Sequence, residues 1–135
     1  MGKRATWFFL LALAACGSSK STGTSGGDIT SAVSTTGKLK MALASASPLI
    51  QGTNTIEITL TDAATGAVQA GAAFIVRLNM PTMGHPSPIT PSVTEKGAGV
   101  YEVTNAYFSM PGPWEVIATF TQPQTDSATA TVTIP

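Results

Sequence analysis

The chain has 135 residues, with 7 basic and 7 acidic side chains, one histidine and one cysteine, a length that suits one domain plus a leader. Charged residues make up only 10% of it, while Gly, Pro, Ser and Thr are abundant, a mix that favours short strands joined by turns over long helices. A single Cys excludes a disulfide framework, and the lack of a basic excess argues against nucleic acid as a partner.

The chain opens with MGKRATWFFLLALAAC. Lys3 and Arg4 form a positive start, and Ala5 to Leu13 form an apolar run too short to remain in a bilayer as a spanning helix. The sequence Leu13-Ala14-Ala15-Cys16 resembles the bacterial lipobox, in which the Cys thiol is acylated and cleavage makes it the new N-terminus. The expectation is a lipoprotein signal peptide over residues 1–15 and a lipidated Cys16. More than one acyl chain gives a stable anchor, so the membrane is an expected partner that the protein does not cross. Without residues 1–15 the chain keeps five basic against seven acidic residues, a net charge of about −2. Gly17 stands where Asp goes with inner-membrane retention, so the expected location is the bacterial envelope, on the outer membrane rather than the inner, facing periplasm or surface.

Residues 16–36 continue as CGSSKSTGTSGGDITSAVSTT, with no hydrophobic period, which predicts a flexible tether. Its reach is on the order of 25 Å. Residues 37–135 then alternate as strands do. Leu39, Met41 and Leu43 begin a strand that should end near Ser47. Ile56, Ile58 and Leu60 give a second, and Phe74, Val76, Leu78 and Met80 a third that runs straight into MPTMGHP. The proline-rich PSPITPSVTEKGAG predicts an edge strand or loop, because Pro cannot donate to a central ladder. Val100 to Asn105 and Ala106 to Met110 read as one or two short strands, Trp114 to Phe120 as another, and Ala128 to Ile134 as the last. Seven or eight strands over about a hundred residues predict an all-β fold, an immunoglobulin-like β-sandwich held by packing alone.

Three stretches carry a family resemblance: MPTMGH at Met80 to His85, GVY at Gly99 to Tyr101, and SMPGPW at Ser109 to Trp114. Together, over Thr55 to Ile134, the chain resembles the YtkA-like domain, a small immunoglobulin-type sandwich of the bacterial envelope. The resemblance implies a secreted or lipid-anchored module with no established enzymatic activity. It also implies copper, through FixH-like relatives associated with assembly of copper-dependent oxidases, although those carry a transmembrane helix of a kind not seen here.

The residues give copper a chemical basis of their own. Thioether sulfur is soft and neutral and imidazole is borderline, so a Met and His set selects Cu(I) over Zn, Mg or Ca. If the strands ending in Met80 and Met110 finish at one pole of the sandwich, Met83, His85 and Met110 can form a three-coordinate site, with Trp114 as a candidate cap through a cation–ring contact. Against this, Met80 continues an inward series and belongs to the core. Met110 also suits a core plug, Trp114 a packed aromatic, and His85 a loop hydrogen bond.

Other chemistries fail on composition. A blue-copper or structural zinc centre needs more His and Cys than one of each. No GxSxG elbow accompanies His85, and Ser87 lies in a proline-rich loop. Glu57, Glu95, Glu102 and Glu115 fall on separate segments and read as solvated strand faces. The expected function is a non-enzymatic, lipid-anchored envelope binding module handling Cu(I). The alternative is a structural or protein-interaction lipoprotein without a metal site, whose partner is another envelope protein.

Overall fold

The computed structural model describes residues 28–135. The signal segment, Cys16 and most of the expected tether lie outside the described residues. Within them the chain forms nine strands: β1 (Asp28–Val33), β2 (Leu39–Ala44), β3 (Gly52–Asp62), β4 (Ala73–Met80), β5 (His85–Pro86), β6 (Ser92–Gly97), β7 (Val100–Phe108), β8 (Gly112–Gln122) and β9 (Asp126–Ile134). They make two antiparallel sheets, ordered β1-β2-β3-β7-β6 and β5-β4-β8-β9. With β1 set aside, these orders are those of the ABED and C′CFG sheets of an immunoglobulin sandwich.

The period-2 pattern decides which face of each strand is buried, since successive side chains point to opposite sides. Leu39, Met41 and Leu43, Ile56, Ile58 and Leu60, and Tyr101 and Val103 point in from the first sheet. Val76, Leu78 and Met80, Trp114, Val116 and Phe120, and Val132 and Ile134 meet them from the second. Burying each large aliphatic or aromatic side chain contributes about 1.5–3 kcal/mol, which is how a sandwich of this size holds without a disulfide.

Two features of the strands have local causes. Strand β1, Asp28–Val33, lies inside the segment expected to be tether. DITSAV has no clean alternation, yet β1 needs none, because it is held by ladder hydrogen bonds to β2 from Asp28↔Ala44 to Val33↔Lys40. It raises the strand count to nine, while β2 stops at Ala44, before the expected Ser47. Strand β7 is one strand with a bulge, its register to β3 shifting between Asn54 and Ile56. Asn105 there adopts φ 58°, a left-handed conformation that Asn tolerates better than most residues. The extra residue flips the alternation, so Tyr101 and Val103 point inward before it and Ala106 and Phe108 after it.

Strands β5 and β6 are both sheet edges, the place expected of this proline-rich stretch. Strands β2, β4, β7 and β9 end at one pole of the sandwich, and β3, β5 and β8 begin there. Strand β4 ends at Met80 and β7 at Phe108, so the two segments that carry the methionines and histidine leave the sheets at the same pole.

Candidate functional site

The turn Pro81-Thr82-Met83-Gly84 joins β4 to β5 and closes on the pair Met80↔His85. The Met80 carbonyl accepts from the Met83 N–H at 3.2 Å and the Gly84 N–H at 3.0 Å. Gly84 has φ 67°, which a residue without Cβ adopts freely, and this lets the chain return as β5 within four residues. The turn leaves Met83 56% exposed, with its thioether available at the tip, and His85 exposed beside it.

Strand β5 has only two residues, but a side-chain bond fixes it across the sandwich. The Ser87 hydroxyl donates to the Tyr107 carbonyl at 2.7 Å, while the Ser87 N–H donates to Leu78 O at 2.8 Å. Ser87 and His85 share a side of the chain by period 2, the side on which Leu78 and Met80 lie across the ladder, with Ser87 partly buried and His85 exposed at the rim. From the Ser87–Tyr107 bond, His85 lies one step nearer the pole along β5, and Met110 lies just beyond the end of β7 in the same direction. The bond therefore brings His85 and Met110 to one rim.

Met110 is partly buried against the core, and its segment is held by two donors. Gln51 Nε2 donates to the Ser109 carbonyl at 2.9 Å, and Trp114 Nε1 donates to the Met110 carbonyl at 3.0 Å. Trp114 itself is fully buried, with its ring edge-to-face against Phe108 at 5.5 Å and 70°. The expected cap is thus a core aromatic, and what it gives the rim is a fixed Met110 backbone.

Glu57 and Glu102 are solvated strand faces, as expected, and the sheet adds a pairing between them. Strands β3 and β7 place Glu57 directly opposite Glu102, beneath a groove of about 340 Å³ that Ser45, Ser47 and Asn54 help to line. Like charges facing each other across a ladder destabilise it, and Lys96 offsets this by an ion pair to Glu102 at 3.4 Å. Both carboxylates are open to water and they form a surface charge cluster. Among the described residues no three His, Cys, Asp or Glu side chains stand close enough to hold a metal ion.

Sequence reasoning passed over Ser87 and Gln51, whose partners are backbone carbonyls that no motif displays. For Ser87 a signal was present, since it continues the period-2 phase of His85.

The two sheets and their order make this a small immunoglobulin-type β-sandwich module. A family model described as YtkA-like matches residues 34–119, more than half of the chain, and the protein belongs to the YtkA-like family. No curated protein and no solved structure matches it.

Proposed function

We propose that the protein is a non-enzymatic, lipid-anchored module of the bacterial envelope that handles Cu(I) through Met83, His85 and Met110. The observation that supports the copper site is the Ser87–Tyr107 bond, which sets the histidine strand over the end of the strand leading to Met110. Two neutral sulfurs and an imidazole add no negative charge, which favours a soft monovalent cation over Zn or Ca. The exposed Met83 offers a first contact, so the ion exchanges with a partner instead of being locked in. Lipidation of Cys16 is supported by the order of charges, apolar run and LAAC at the start of the chain, the outer-membrane location by Gly17 after it, and a tether shortened to the residues before β1 by their Ser, Thr and Gly composition.

An anaerobic Cu(I) titration of the intact protein in detergent, against a competing chelator, tests the site. Competition that a Met83→Ala, His85→Ala double variant loses is the expected result. No competition, or equal competition by the double variant, contradicts it.

A second reading, a protein-interaction module, draws support from a different side of the same pole. There a groove of about 410 Å³ lies between Ile29, Pro48, Leu49 and Pro135, with Ile50 56% exposed nearby. An apolar patch of this kind marks contact surfaces on other proteins.

A further inference from the structure

We propose that the Met80 thioether is a ligand of the same Cu(I) site. The inference rests on the copper reading above and changes its ligand set.

By alternation Met80 is the last of an inward series, and it is only 3% exposed. Its cross-strand partner, however, is His85. Paired residues in an antiparallel ladder present their side chains on one face with Cβ atoms about 4.5–5.5 Å apart, so Met80 and the histidine start as neighbours. The far end of Met80 is equally well placed. Its Cε lies so near Gly112 that a Cβ there would come within 2.7 Å of it. The φ of 122° at Gly112 accounts for the glycine by itself, and the contact serves to place the Met80 methyl two residues from Met110. The Met80 side chain therefore spans the rim from the histidine strand to the Met110 loop, with its sulfur one bond short of the Gly112 contact.

Met83 differs in each respect. It is at the turn tip and more than half exposed. The inner set is then Met80, His85 and Met110, with Met83 at the mouth. One buried and one partly buried thioether with the imidazole of the exposed His85 give three donors that bring no carboxylate charge, a set suited to Cu(I) at a rim open to water on the histidine side. A leucine at position 80 would fill the core as well, so packing alone gives no reason for sulfur at this position.

The test is Cu(I) competition with the intact protein in detergent, comparing wild type, Met80→Leu and His85→Ala, together with X-ray absorption at the copper edge. Met80→Leu conserves volume, and a cooperative thermal transition close to wild type establishes that it folds. Loss of affinity of about tenfold or more, with one sulfur fewer around copper, is the expected result. A smaller loss, or an unchanged sulfur count, in a background where His85→Ala weakens binding overturns the role of Met80 and leaves the copper reading standing. Failure of wild type to compete overturns both.

Discussion

Replacing Ser87 by Ala removes one hydroxyl and should loosen the rim without unfolding the sandwich. The Ser87 hydroxyl makes a 2.7 Å bond to Tyr107 O and also accepts from the Ile89 N–H at 3.4 Å. A hydrogen bond of the first kind has a net value of about 0.5–1.5 kcal/mol. Strand β5 has two residues and pairs only with β4, so the loss acts on local opening of this edge more than on the whole domain. At that magnitude the open population rises by about two- to thirteenfold. The assay is native-state amide exchange at Ser87, whose N–H is bonded to Leu78 O and reports β5 directly. Exchange there should speed up by that factor while the amides of β3 and β8 keep their protection. Cu(I) affinity should fall with it, because His85 is then less often held over Met110. Unchanged exchange at Ser87 would show that something other than this bond fixes the strand, and would refute the reasoning that unites the site.

At the opposite pole, Asp126 accepts from Thr36 Oγ1 at 2.6 Å, Thr36 N–H at 3.2 Å and Ser127 N–H at 2.9 Å. Burial pushes its carboxyl pKa up, but hydrogen bonds from Thr36, Ser34 and Ser127 together outweigh this and hold it far below the usual carboxylate range. An unfolded Asp titrates near about 3.9, so this contribution is complete above that pH and is lost as pH falls toward the folded value. Asp126→Asn should be less stable at neutral pH and lose less on acidification, measured by urea midpoints from neutral pH down to about pH 2, the difference developing below the unfolded carboxyl pKa of about 3.9; an acid limb as steep as wild type contradicts the clamp. Cys16→Ser should release the protein from the membrane fraction or block its processing, and normal partition of that variant contradicts the anchor.

Much of the sandwich is legible in the sequence because inward positions repeat with period 2, as Ile56, Ile58 and Leu60 do, and because prolines 86, 88 and 91 mark an edge. Strand β1 is not, since its pairing to β2 uses backbone groups and DITSAV has too few apolar residues to show a face. The residue types of the candidate site are legible too: MPTMGH and SMPGPW carry the sulfur and imidazole. Their juxtaposition is not, because it depends on the 20-residue separation between Ser87 and Tyr107 closing through a carbonyl. Trp114 and Met80 show the limit from the other side. Both are core by periodicity and by burial, yet one holds the Met110 carbonyl and the other reaches toward Gly112.

Methyl carbon NMR of the methionines during anaerobic Cu(I) addition tests the central claim most directly. Met41, fully buried between the sheets, is an internal reference against Met83 and Met110 at the rim. The Cu(I) account predicts that the Met83 and Met110 methyl signals shift with the His85 ring signals at one equivalent of copper while Met41 stays in place. Rim signals that do not move, or a shift at Met41 alone, would contradict it.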